Sequence, residues 1–377
     1  MGNEKKPFYA VLHGAKKNVG DFLIRDRSEK LIRHVRPDRE LKAFPSWKPL
    51  DEHLETINEA EAIIVMGGPG VSQSSYPEVY PFVDNLDRIK PPIYLMGVGS
   101  YMYPFTSKAI RTFKFSSRTR LFLEKCKGIS VRDVFTKNLI TSKGIHNVVM
   151  TGCPVWHNLE FTEKGVQKPE EIKSILFSFP QKHYFHEQAF KLASSLKAEF
   201  PHARLIAGFN RGLKADKYTS SKDAARFSKA AKKLEGIGYE VVNHAYDLQS
   251  LEDQKICDLH VGYRLHSHIY FASMRKPSFV IAEDSRSYGH YTTLGLPGQM
   301  AYNHSLFAEW LPYLENGMIR GGIFKFLPVV DVPKSISDLV IEQIDRELSN
   351  DYPSFEGIDK KLDSYLGEMK SFLKNLP

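Results

Sequence analysis

The sequence predicts an α/β protein: two doubly wound parallel sheets facing each other across a cleft. Three observations carry this reading. Short apolar runs alternate with helical segments, the pattern of parallel strands joined by crossover helices. The alternation stops between Glu160 and Glu171, a polar stretch with Lys164, Gly165 and Pro169 that reads as a linker. Beyond it the alternation restarts, which gives a second sheet and not an extension of the first.

In chain order, Phe8 to His13 is the first apolar run, followed by Gly14, a polar turn at Asn18-Val19-Gly20-Asp21 and a helical stretch from Phe22. Ala62 to Met66 breaks at Gly67-Gly68-Pro69-Gly70, and Ile93 to Met96 breaks at Gly97-Val98-Gly99-Ser100. Gly128 to Val131 ends at Arg132-Asp133, and Val148 to Met150 ends at Thr151-Gly152-Cys153-Pro154. In the second half, Ser174 to Phe179, Arg204 to Ala207, Glu240 to Asn243, Leu259 to Gly262 and Pro277 to Ala282 read as strands. Glu187 to Ala198, Lys222 to Leu234 and Leu265 to Met274 read as helices between them. Near the C-terminus, Ile358, Leu362, Tyr365, Leu366, Met369, Phe372 and Leu373 fall at helical spacing, so a helix packed on the domains is expected there. The chain thus divides into a first unit over 1–160, a second over 171–334 and C-terminal helices over 335–377.

At 42% hydrophobic and 25% charged over 377 residues, the composition is that of a globular chain of about two domains. No stretch reaches the roughly 20 apolar residues of a membrane span. The opening Met1 to Pro7 lacks the apolar core of a signal peptide. Cys126, Cys153 and Cys257 lie too far apart in sequence for a metal or disulfide framework. These features together predict a cytoplasmic protein. Lys plus Arg number 52 against 44 Asp plus Glu, a net charge of +8 that attracts anionic partners. With no nucleic-acid-binding signature present, phosphorylated small molecules or anionic polymer precursors are the expected partners.

Ligands of open parallel sheets bind at the carboxyl ends of strands. The sharpest group there is Tyr263-Arg264-Leu265-His266-Ser267-His268, which opens a helix. A helix N-terminus offers free amides and partial positive charge, so cations beside it make sense when an anion bridges them. Arg264 suits a phosphate or carboxylate, and His266 donates a hydrogen bond or a proton, while His268 points away. Arg132-Asp133 is the mirror case: Asp133 suits a helix cap, and Arg132 is expected to join Arg264 in clamping one small dianion. Asp21 reads as a cap or as a base that activates a sugar hydroxyl. Glu283-Asp284-Ser285-Arg286 offers carboxylates for a hydroxyl and a further cation, or else an exposed turn. Gly68 and Gly99 sit in turns that match neither a dinucleotide fingerprint nor a P-loop but would admit close backbone approach. Lys108, Arg111, Lys114, Arg118 and Arg120, after Tyr101, Tyr103 and Phe105, read as a solvated face, with an anionic or lipid-linked acceptor as the alternative.

In order and spacing these elements resemble the polysaccharide pyruvyltransferase family. The resemblance rests on Asn18-Val19-Gly20-Asp21, Gly67-Gly68-Pro69-Gly70, Gly97-Val98-Gly99, Val131-Arg132-Asp133, Thr151-Gly152-Cys153-Pro154 and Arg264-Leu265-His266. Lys276-Pro277 and Asp284-Ser285-Arg286 complete it, and it runs from the first strand to about Pro297. It implies two Rossmann-like domains around a cleft, similar to type B glycosyltransferases, with the acceptor on the first and the donor on the second. It also implies transfer of a pyruvyl group from phosphoenolpyruvate to a sugar of a cell-surface polysaccharide or its precursor, forming a cyclic ketal. Arg264 and His266, flanking Leu265, would contact that donor, with Arg132 added to them. His266 or a nearby acid would protonate the vinyl carbon, and Asp21 or Asp133 would be the base. No metal and no cofactor beyond the donor is expected. The acceptor would be a sugar or oligosaccharide, free or lipid-linked, with contact at the inner membrane face left open. Two rivals remain: a nucleotide-sugar glycosyltransferase of the same build, with Glu283 or Asp284 gripping ribose, and a non-catalytic scaffold for polymer assembly.

Overall fold

The computed structural model describes residues 6–103, 105–304 and 330–377. Met1 to Lys5, most of the opening stretch that lacks a signal peptide's apolar core, and residues 305–329 of the second unit lie outside the described residues.

The first sheet contains β1 (Phe8–His13), β2 (Glu40–Pro45), β3 (Ala62–Met66), β4 (Ile93–Val98), β5 (Gly128–Val131) and β6 (Val148–Met150). All are parallel, in the order β2-β1-β3-β4-β5-β6. The second contains β7 (Ser174–Ser178), β8 (Arg204–Phe209), β9 (Glu240–Asn243), β10 (Leu259–Gly262), β11 (Ser278–Ala282) and β12 (Gly298–Met300), again parallel, in the order β12-β11-β10-β7-β8-β9. The central strands are aliphatic runs buried on both faces: all of Ala62–Met66 and Ser278–Ala282 is buried. Helices cover the two faces, as parallel sheets require.

This strand order fixes where ligands bind. Connections leave β1 and β3 in opposite directions in the first sheet, and β7 and β10 in the second. At such switch points the crevice beyond the strand ends stays open. The loops there are Gly14–Asn18 and Gly67–Gly70 in the first sheet, and Phe179–Lys182 and Tyr263–Arg264 in the second.

Four elements differ from the sequence reading. β2 and β12 went unanticipated; both are edge strands whose residues are mostly half-buried or exposed, so neither carries an apolar run. Ser285–Leu294 is a helix, not an exposed turn, and Asp284 caps it. The polar turn at Asn18 to Asp21 is also helical: Asn18 caps helix Val19–Val35, and Asp21 stands in its first turn.

The two halves share a core at their joint. Val19, Leu23 and Ile24 of helix Val19–Val35 pack with Trp156 and with Leu265 and Ile269 of helix Leu265–Ser273. The C-terminal helix Ile358–Lys374 straddles this joint. Its Ile358 and Leu362 enter the core of the second half, while Leu366, Met369 and Leu373 pack on Tyr9, Leu31 and Ile32 of the first. Among the described residues, no helix is long and apolar enough to cross a membrane, and no cluster of His, Cys, Asp or Glu could hold a metal.

Candidate anion-binding active site

Helix Leu265–Ser273 starts at the end of β10 with Arg264 in the capping position, backbone extended and side chain making no cap bond. Ser, Thr, Asp or Asn would normally close a helix start; an arginine leaves the first-turn amides open to a ligand. The Arg264 N–H instead donates to Ser178 Oγ at 2.9 Å, which ties the helix start to the end of β7. Arg264 is 9% exposed, and its guanidinium lies 3.9 Å from the Glu283 carboxylate. Burial pulls its pKa down to about 10, against the pull of Glu283, so it remains a cation at neutral pH.

Helix Val19–Val35 meets this start from the other half of the molecule. Asn18 Oδ1 accepts from the Gly20 N–H at 3.2 Å, which turns the Asn18 Nδ2 toward His266 Nδ1 at 3.3 Å. An amide nitrogen can only donate, so Nδ1 is the acceptor and the neutral imidazole carries its proton on Nε2. Burial first, then the charges of Arg286, Arg264 and Arg132, hold the imidazole well below its ordinary range. His266 is therefore a neutral donor through Nε2, which has no protein partner among the described residues. The close fit leaves no slack: a Cβ on Gly20 would lie 1.9 Å from His266 Cγ.

Arg286 joins the two crevices. One small cleft is lined by Arg264, Leu265, His266, Glu283, Asp284 and Arg286. A larger cavity of about 400 Å³ beside it is lined by Asp21, Gly68, Lys16, Arg211, Trp47 and again Arg286, among others. Asp284 is 2% exposed and holds Arg286 through its Nε at 3.0 Å and its Nη2 at 2.7 Å. Burial would raise the Asp284 carboxyl, but the Arg286 guanidinium outweighs it and the net shift is downward. Asp284 is thus the positioning carboxylate for Arg286 and a helix cap at once. Glu283 accepts from the Gln181 and Lys182 backbone amides at 3.1 and 3.3 Å.

Asp21 faces this cluster from the larger cavity. Burial raises its pKa from 3.8 to about 6, and Arg286, Arg211, Arg264 and Lys16 hold it from rising further. A carboxyl that titrates near neutrality can both give and take a proton.

The structure does not bring Arg132, Asp133 and Gly99 to either cavity. Arg132 is 1% exposed, with Nε 3.4 Å from Asp133 and Nη2 donating to the Ser100 carbonyl at 3.2 Å. Gly99 lies directly against it: a Cβ there would sit 1.9 Å from Arg132 Nε. Asp133 caps helix Val134–Thr141 through the Thr136 N–H at 2.6 Å and hydroxyl at 3.0 Å. The guanidinium that lines the small cleft beside Arg264 is that of Arg286, not Arg132, and both belong to the second half. Arg132 is near enough for its charge to bear on His266. His268 bonds Ser278 Oγ at 2.7 Å in the core, away from the cleft.

Lys16 and Arg211 are cavity cations that the sequence reading missed. Lys16 follows the first strand without a motif around it, and its ammonium lies 4.3 Å from the centre of the Trp47 ring. Arg211 lies in a polar loop after β8, where only the strand-end rule would have selected it.

The family model described as "Polysaccharide pyruvyl transferase" matches residues 18–285, more than half of the chain. No curated protein matches significantly. Among solved structures, the chain is similar to a putative UDP-N-acetylglucosamine 2-epimerase from Listeria monocytogenes, with TM-score 0.53 and 10% identity over 98% of this chain and 96% of that one. It is also similar to the S. aureus MnaA-UDP co-structure, with TM-score 0.51 and 12% identity over 97% and 94% of the two chains. These likenesses concern the fold, the pair of parallel sheets described above.

Proposed function

Because the chain belongs to the polysaccharide pyruvyl transferase family, we propose that it moves the pyruvyl group of phosphoenolpyruvate onto a sugar of a cell-surface polysaccharide or its precursor, forming a cyclic ketal. The observation that carries this reading is the meeting of Arg264, Arg286 and His266 at the open amides of helix Leu265–Ser273. Phosphoenolpyruvate carries a phosphate and a carboxylate, and two guanidiniums with a neutral imidazole donor match that pair of anions.

The reaction balances on these residues. Protonated Asp21 gives its proton to the vinyl methylene, which becomes the methyl group and leaves an oxocarbenium-like carbon. A sugar hydroxyl attacks that carbon and yields its proton to the Asp21 carboxylate. Phosphate then departs with the C–O bonding electrons, its charge held by Arg264 and Arg286, and a second hydroxyl closes the ketal. The second hydroxyl's proton leaves on phosphate, so no redox partner is required. His266 Nε2–H steadies the departing oxygen. Asp133, spent as a cap, has no part in this sequence. The acceptor approaches from the larger cavity, where Asp21 reaches it. The protein acts in the cytoplasm, where phosphoenolpyruvate is available.

Melting the protein with phosphoenolpyruvate and with uridine diphosphate tests this assignment. Phosphoenolpyruvate should stabilise the wild type, and Arg264→Ala should weaken its binding about 10–100-fold, the value of one charge-assisted contact. Stabilisation by uridine diphosphate alone would favour the nucleotide-sugar rival.

A further inference from the structure

We infer that Arg211 is a further substrate-contacting residue, held over the cleft by an inter-domain latch between Lys17 and Asp216. The inference rests on the anion-donor reading above and adds a residue and a device that reading does not use.

Lys17 lies in the loop after β1 of the first sheet and is 2% exposed. Its ammonium meets three acceptors: Asp216 Oδ2 at 2.8 Å, Thr219 Oγ1 at 2.7 Å and the Lys214 carbonyl at 3.4 Å. All three belong to one loop after β8 of the second sheet, so the contact crosses the cleft. The loop is internally closed, with Asp216 and Thr219 exchanging backbone bonds at 3.0 and 3.2 Å. Tyr246 braces the latch from the second sheet. Its hydroxyl donates to Asp216 at 2.8 Å and its amide to the Lys17 carbonyl at 2.9 Å. The same loop approaches again at its start, where the Asn210 carbonyl accepts from the Val19 N–H at 3.2 Å.

Between these two anchors stands Arg211. It lines the larger cavity with Asp21, Lys16 and Arg286, and has no ion pair with a carboxylate among the described residues. Its charge bears on Asp21, Arg264 and Lys16. Lys17 is flanked by Lys16, on the cavity wall, and Asn18, which orients His266. One fastening therefore sets three site groups together. A buried ammonium with three acceptors, all across a domain boundary, is costly to assemble for packing alone. Delivering an unpaired guanidinium to a cleft that takes a phosphoryl group accounts for it.

The test uses inorganic phosphate as the probe, with binding followed by calorimetry on the full chain, and phosphoenolpyruvate kinetics beside it. Arg211→Ala should weaken phosphate about 10-fold or more and raise KM for phosphoenolpyruvate, and Arg211→Lys should restore part of both. Asp216→Ala separates the latch from simple electrostatics. Removing a negative charge would by itself tighten anion binding, whereas loss of the latch weakens it. The latch predicts weaker phosphate binding in Asp216→Ala, and little further loss when Arg211→Ala is added. Tighter or unchanged binding in Asp216→Ala, or losses that add fully, would overturn the inference. Should Asp216→Ala fail to fold, Thr219→Val and Tyr246→Phe each remove one strand of the fastening and must show the same direction. Arg211-dependent phosphate binding without any turnover of phosphoenolpyruvate would retire the pyruvyl-transfer reading and leave the latch standing.

Discussion

Burial shifts Asp21 and His266 in opposite directions along the pH scale: His266 stays neutral, while Asp21, at about 6, is protonated below that pH and a carboxylate above it. The internal counter-charge facing Arg264 and Arg286 is then Asp284 and Glu283, joined by Asp21 as pH rises through about 6. The stability consequence has a definite sign. The native Asp21 pKa of about 6 exceeds its ordinary 3.8, so ionising it in the fold is unfavourable. Stability is lost as pH climbs through that interval, from about 4 to about 6, and the loss persists above it. Asp21→Asn should therefore melt above wild type at about pH 8 and level with it at about pH 4. Its kcat should fall about 10²–10⁴-fold, and the limb of the rate profile near the native pKa should vanish. Melting curves at both pH values and a pH–rate profile check this, and an unaltered limb in the variant would remove Asp21 from the proton transfer.

Helix starts carry this site, and among their capping residues Arg264 stands apart. Asp133, Asp284 and Asn18 each close a helix in the ordinary way, while Arg264 leaves its helix open. Gly20 shows the cost of fit between elements. Alanine is the better helix former by about 1 kcal/mol, yet its methyl would overlap the His266 ring. Gly20→Ala should keep its fold with a modest change in melting temperature and lose about 10²-fold in kcat, since His266 must shift. Full activity in that variant would show that the imidazole position is not critical. The element scale also marks how far the sequence was readable. Central strands such as Ala62–Met66 were legible because both faces are buried and the apolar run is unbroken. Edge strands β2 and β12 bury too little to leave such a mark. Helix Ser285–Leu294, with Gly289 within it, has few residues that favour helices beyond Arg286 and Leu294 and is held by packing, Gly289 lying against Asp133. Arg264 and His266 were legible because cations at a helix start demand a reason. Arg132 looked equivalent in sequence, but its neighbour Asp133 and the Ser100 carbonyl claim it, and only three-dimensional packing reveals that.

At the scale of the molecule, two switch points are brought face to face by a shared core at Val19, Trp156 and Leu265 and by a C-terminal helix that grips both halves. Asp21 comes from the first half and Arg264 and Arg286 from the second, so the proposed chemistry requires the halves in register. The net charge of +8 favours the approach of anionic substrates and should make their capture weaken as salt rises. The most direct measurement incubates the protein with phosphoenolpyruvate and a panel of diol-bearing sugars, and follows inorganic phosphate and sugar mass together. The account predicts one phosphate released for each pyruvate ketal formed, with both lost in Arg264→Ala. Failure of every acceptor to release phosphate, while a nucleotide sugar is consumed, would contradict it.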